Sequence, residues 1–336
     1  MNLIDVTSQF ATDEQCLAYL EAMRWPDGVR CPVCGNNKIS RITRKSDTVT
    51  RVKADGTPRT HKQRTQVYQC LEPTCKEQFS ATKGTIFNDS HLPLNKWFMA
   101  LAIVVDAKKG ISANQLKEHL GIGSYRTAWY MTHRIRKAME DGEGIKLTGT
   151  VEIDETWIGG KSKRRNGRSK KQGMPFSEKF DMVMGLRERK TNLKPGRVKY
   201  VHIPDGKRDT IKKVIDKHVG PGVQRVYTDS AAIYDFSIHE TLKKKHRKVN
   251  HSIQWVVPGS KIHTNTVEST FSLLKRGLIG SFHRVSIEHL HRYLSEFEYR
   301  FNARRAEDRF SMTLKRMMGI QPMPYAELIA EPKAEF

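Results

Sequence analysis

The stretch Val151–Gly160, VEIDETWIGG, decides how the second half of the chain is read. From Thr150 to Ile158 apolar and β-favouring residues dominate, which reads as a strand, and a Gly-Gly turn closes it. Asp154 emerges from that apolar strand just before the turn. An isolated acid in such a place is more often a turn former or cap than a ligand, so only partners elsewhere in the chain decide its role.

Working outward, the pattern predicts strands at Phe180–Arg187 and Arg197–Ile203. A helix over about Asp209–His218, a strand Gln224–Thr228 and a helix from about Ala231 to Lys244 follow. Three strands and then helix–strand–helix imply a mixed sheet with helices packed on it. Lys161–Lys171, KSKRRNGRSKK, reads as a basic loop, either DNA-contacting or without regular structure, with Lys163, Arg164 and Arg165 near its start. In QRVYTDS, Asp229 projects beyond the end of its strand, although with Ser230 behind it the same residue also suits a helix N-cap.

His263–Gly277, HTNTVESTFSLLKRG, carries two helical stripes. Val267, Phe271, Leu274 and Leu278 form an apolar one, and Asn265, Glu268, Ser272 and Lys275 a polar one. By itself this is an ordinary amphipathic helix. Ser286–Asn302 places Ile287, Leu290, Leu294, Phe297 and Phe301 on one face that packs back on the domain.

The front half carries different signals. Cysteines stand at 16, 31, 34, 70 and 75, an odd number that argues against a disulfide framework. Cys31, Cys34, Cys70 and Cys75 form two pairs suited to a tetrahedral structural zinc, despite the x4 spacing of the second pair and the 35 residues between Cys34 and Cys70. A redox CxxC would leave that second pair unexplained, and Cys16 reads as a buried thiol. Between the pairs, Arg41–Arg64 is strongly basic and suits either a phosphate backbone or solvent. Leu94–Asp106 reads as a helix. Ser112 then caps a short helix with Leu116 and Leu120, Gly121 breaks it, and Ser124 caps a longer one to about Met139. Its inner face is Ala128, Met131, Ile135 and Ala138; Arg126, Tyr130, His133, Arg134 and Lys137 lie outside, the spacing of a helix-turn-helix.

The 336 residues carry 59 Lys plus Arg against 36 Asp plus Glu, a net charge of +23 that favours a polyanionic partner such as nucleic acid. The longest apolar run, Trp97–Val105, is shorter than the about 20 residues a membrane span needs, and the acidic, polar start is unlike a signal peptide. A cytoplasmic, nucleoid-associated protein is expected. The chain divides into a helical segment 1–25, a zinc ribbon 26–88, a helix-turn-helix region 89–144, a mixed-sheet catalytic domain 145–305 and a tail 306–336.

Acids at strand ends of a mixed sheet can converge, and Mg²⁺ relieves the repulsion between them. Two such ions about 4 Å apart suit in-line displacement at phosphorus. The order of modules, together with VEIDETWIGG, VYTDS, HTNTVESTFSLLKRG and the closing YLSEFEYRFNAR (Tyr293–Arg304), resembles the DDE transposases of bacterial insertion sequences. It is most similar to the insertion-sequence 1595 family, over roughly Cys31–Arg304. That resemblance implies a ribonuclease-H-like catalytic domain, two Mg²⁺ ions, a double-stranded DNA partner and a homo-oligomeric synaptic complex. It also implies catalytic acids at Asp154 and Asp229 with a third position on the His263–Gly277 helix. Glu268, 39 residues after Asp229, is the expected third ligand, with Asn265 as helper or second ligand and Lys275 on a phosphate. Glu152 and Glu155 are poorer candidates. The expected function is binding of terminal inverted repeats with cleavage and strand transfer; a catalytically inactive DNA-binding regulator and a nuclease of the same fold are the alternatives.

Overall fold

The computed structural model describes residues 1–44, 48–62, 66–88, 90–141, 144, 146–159, 181–234, 240–250, 253 and 256–330. The chain forms two compact units, residues 1–102 with 310–324 and residues 103–309 with 325–336.

In the first unit, α1 (Leu3–Gln9) and α2 (Asp13–Arg24) both begin with capping boxes, formed by Asn2 with Asp5 and by Thr12 with Gln15. The ribbon follows. Strands β1 (Ile39–Thr43), β4 (Gln66–Cys70) and β5 (Gln78–Phe79) form an antiparallel sheet in the order β1-β4-β5. Its small core is Cys31, Tyr68, Cys70 and Phe79, with Trp25 and Ile39 packed against it. Strands β2 (Thr48–Val52) and β3 (Pro58–Lys62) pair only with each other. They account for the long gap between the cysteine pairs: β1 and β4 close the ribbon, and the extra residues leave it as a separate hairpin.

The helix α3 (Leu94–Asp106) has the expected bounds. In the second unit, α4 (Ala113–Leu120) starts at Ser112, whose hydroxyl accepts from the Gln115 amide, and stops at Gly121 with φ 56°. Next comes α5 (Tyr125–Met139), with Ser124 at its N-cap but without a side-chain capping bond. The sheet contains β6 (Leu147–Ile158), β7 (Asp181–Glu188), β8 (Val198–Ile203), β9 (Val219–Asp229) and β10 (His246–Val249), in the order β10-β9-β6-β7-β8. β6, β7 and β8 are antiparallel neighbours, whereas β9 and β10 run parallel to β6. This mixed sheet is the ribonuclease-H-like arrangement expected, with β10 an additional strand that the sequence pattern did not reveal.

Strand alternation sorts the side chains onto two faces. Val151, Ile153, Met184 and Leu186 pack with α6 (Arg208–His218) through Ile211, Val214 and Ile215. The other face, through Val183, Val198 and Tyr200, is covered by α8 (Asn265–Gly277) and α9 (Ile287–Asn302). Between α6 and α8, the short α7 (Glu240–Lys243) is the described part of the C-terminal end of the expected Ala231–Lys244 helix. The chain continues through α10 (Arg309–Gly319) to α11 (Tyr325–Ile329). Val267, Phe271 and Leu274 are buried on the sheet, each worth roughly 1.5–3 kcal/mol of burial. Gly185 permits that close fit: a Cβ there would lie 2.6 Å from the Phe271 ring.

Candidate active site

Asp154 and Asp229 come from neighbouring parallel strands. The register pairs Glu152 with Tyr227, so two residues further along each strand the two aspartates lie side by side, on strands about 4.8 Å apart. Asp154 also sits opposite Gly185, which faces Phe271, and Glu268 lies one turn before Phe271 on the same helix. The sheet register and the apolar stripe of α8 therefore bring the third acid towards the first two. Electrostatics record the convergence: burial pushes the Asp154 carboxyl up to about 7, with the charges of Glu155, Asp229 and Glu268 adding to it. Oxygen donors of this kind are the ligands a hard divalent cation takes, while among the described residues only the four cysteines already stand close enough together to hold an ion.

Glu155 occupies the other face of β6. There it accepts a hydrogen bond from the fully buried Tyr234 hydroxyl, and burial, with Asp229 adding, pushes it up to about 7. Glu152 shares the face of Asp154, being two residues away, and does something the sequence reading missed. Its fully buried carboxylate pairs with Arg189, while its second oxygen accepts from the amides of Thr266 and Val267 at 2.8 and 2.9 Å. Those amides belong to the first turn of α8, whose orphan N–H groups and positive dipole end favour a carboxylate. Arg189 also donates to the carbonyls of Lys261 and His263, at 2.7 and 2.9 Å. Glu152 and Arg189 thus lock the start of α8 onto β6, which positions Glu268 without either residue joining the acid cluster. The available signal was the period-two spacing of Glu152 and Asp154; a cap supplied from a distant strand has no local pattern.

Asn265 is the first residue of α8 and is exposed, and Lys275 is exposed in its last turn. The outer face of α5 requires a correction. His133 is fully buried, stacked near Trp129, His289 and Tyr293, and burial holds its imidazole far below the ordinary range. It is unavailable to a DNA groove, because α9 and α11 pack on the face expected to be open. Neighbouring side chains are engaged as well: Arg126 donates to Tyr130 and lies over the Tyr325 ring, and Lys137 pairs with Glu140. Even Arg136 on this helix is buried, bridging to Glu296. The period-3.6 pattern defined one apolar stripe correctly, yet aromatic and ion-paired contacts bury a second face that it read as polar. Lys163, Arg164 and Arg165 lie outside the described residues.

The cysteines form a separate centre. Cys31 lies 3.7 Å from Cys75 and Cys34 lies 3.5 Å from Cys70, sulfur to sulfur, and all four sulfurs are within 4.8 Å of one another. Four thiolates at the corners of a tetrahedron with Zn–S bonds of about 2.3 Å would be about 3.8 Å apart. The set fits a structural zinc.

Residues 146–302 match the model of the ISXO2-like transposase domain, and residues 11–78 match that of the transposase zinc-ribbon domain. The chain belongs to the insertion-sequence 1595 transposase family. The family domain spans the whole β6–β10 sheet with α8 and α9, and the ribbon domain includes all four cysteines. A relative, an uncharacterized protein in transposable element ISH50 of Halobacterium salinarum, is 27% identical over 303 residues, covering 87% of this chain and 91% of its own length. Among solved structures, a chain in the cryo-EM structure of the simian T-cell lymphotropic virus intasome in complex with PP2A regulatory subunit B56 gamma is similar at a TM-score of 0.26 and 12% identity. The match covers 58% of this transposase and 66%, just under two thirds, of that chain, a likeness too slight to inform fold or function. Among the described residues, no helix is long and apolar enough to cross a membrane.

Proposed function

We infer that this chain binds the terminal inverted repeats of its own element and performs metal-dependent DNA cleavage followed by strand transfer at Asp154, Asp229 and Glu268. One observation carries the reading: the β6–β9 register sets Asp154 beside Asp229, and α8, packed on the same face, carries Glu268 towards them.

Bound between these acids, two Mg²⁺ ions would supply a charge clamp on the attacking and leaving oxygens of an in-line displacement. Asp154 and Asp229, on rigid paired strands, hold the fixed side of that clamp. Glu268 closes it from α8, its Oε1 accepting from the Thr264 hydroxyl at 3.1 Å. Lys275, exposed two turns along the helix, steadies a flanking phosphate. In the first step water attacks phosphorus and the P–O3′ bond breaks, leaving a 3′-hydroxyl on the element. In the second, that hydroxyl attacks a phosphodiester of the target, forming one P–O bond as another breaks. Joining two ends calls for more than one copy of the chain.

The test is strand transfer on an oligonucleotide duplex bearing the element's end, with Mg²⁺. The expected result is a joined product from the wild-type chain and none from Asp154→Ala. Undiminished product from Asp154→Ala overturns the assignment.

A further inference from the structure

The chain carries a net charge of +23, yet part of the outer face of α5 is covered by internal packing. The hairpin β2–β3 is the opposite case. Its strands join no other sheet, and Thr48, Thr50, Arg51, Val52, Arg59 and Thr60 are all exposed, so among the described side chains neither face covers a core. A two-stranded ribbon of this kind is marginal in water by itself. The register makes it worse, since Arg51 stands directly opposite Arg59. Like charges in a cross-strand pair destabilise the ribbon, and among the described residues neither arginine has an ion-pair partner. Lys53 is two residues further along the same face. The acid at the turn, Asp55, is occupied by the Thr57 amide and hydroxyl. A basic face with no internal counter-charge is explained by an external polyanion.

We propose that hairpin β2–β3 docks into the major groove of duplex DNA, with Arg51, Arg59 and Lys53 on one face meeting the duplex. The size fits: two strands about 4.8 Å apart form a ribbon that a groove about 12 Å wide admits. In the chain the hairpin lies between β1 and β4, which pair from Ile39↔Cys70 to Thr43↔Gln66 and are held at their base by the cysteine centre. An RNA duplex is disfavoured, because its narrow major groove does not admit such a ribbon.

The inference rests on the DNA-binding part of the proposed function and is tested apart from its chemistry. Binding of the zinc-loaded full chain to a labelled duplex carrying the element's end is measured by fluorescence anisotropy over a range of salt, for the wild type and for Arg51→Gln/Arg59→Gln. These positions lie outside any core, and unchanged zinc content verifies the fold. The expected result is about a tenfold or greater loss of duplex affinity, with the slope of log affinity against log salt smaller by about 2. Binding to a single strand of the same length should change far less. Unchanged duplex affinity and slope overturn the inference, and so does an equal loss on single-stranded DNA, which would make the hairpin a general tether. If the wild type binds the duplex but gives no strand transfer, the catalytic reading fails while the hairpin still stands or falls by its variants. If the wild type binds no duplex, both fail.

Discussion

The cysteine centre and the carboxylate cluster are both sets of like ligands, but they are built in opposite ways. The four sulfurs lie within 4.8 Å of one another, in a ribbon whose core consists largely of the cysteines themselves and the aromatic rings of Trp25, Tyr68 and Phe79. The acids come from three separate elements of a sheet domain whose two cores would stand without them. A closed thiolate set leaves no position for substrate, and its metal contributes folding energy. An open carboxylate set costs stability and holds its charge ready for a substrate. On the proposed reading one metal is structural and the other functional, and each variant below is a way to break that contrast.

The largest effect is expected from zinc. Cys70→Ser, or treatment with a strong chelator, removes a binding free energy on the order of 10 kcal/mol. Hydrogen exchange should then show the amides of β1 and β4 unprotected while those of β6, β7 and β9 stay protected; a loss of protection in both units together would break the contrast.

Next is the lock on α8. Glu152→Ala strands Arg189 and two helix amides, so it should cost about 3–5 kcal/mol, read as a shift in the urea midpoint. Strand transfer should fall even where the protein remains folded. Gly185→Ala, which forces Phe271 off the sheet, should cost roughly 1–3 kcal/mol and lower strand transfer without altering zinc content.

Asp154 should behave in the opposite sense. Its folded pKa is raised to about 7 from an ordinary value near 3.8, so the folded state retains a proton that the unfolded chain releases. Stability associated with this group is complete below about pH 4 and lost as pH rises towards 7. Asp154→Asn should therefore stabilise the fold at pH 8 by an amount on the order of 1–3 kcal/mol, read as a higher Tm, have little effect at pH 3.5, and abolish strand transfer. A variant less stable than wild type at pH 8 would mean that the acid is structural. The smallest effect is expected for Tyr234→Phe, which removes one hydrogen bond to Glu155, on the order of 1 kcal/mol by thermal melting.

Much of this was legible in the sequence because it is local. The strand at Val151–Ile158, the helix Leu94–Asp106 and the two stripes of α8 follow from side-chain period alone, and paired cysteines announce a metal at any separation. What was hidden is non-local. β10 has four residues, too few for a period to declare itself. Glu152 looks like a spare acid until the start of α8 arrives from more than a hundred residues away. His133 looks like part of a solvent face, because a polar residue buried among aromatic rings leaves no hydrophobic signature.

The most direct test of the central claim, that β6, β9 and α8 build one acid site, compares strand-transfer yield across Asp154→Asn, Asp229→Asn and Glu268→Gln on the element-end duplex with Mg²⁺. The account predicts that all three are inactive while keeping full zinc content and a Tm at or above that of the wild type at pH 8. Wild-type yield from any one of them, Glu268→Gln above all, would contradict it.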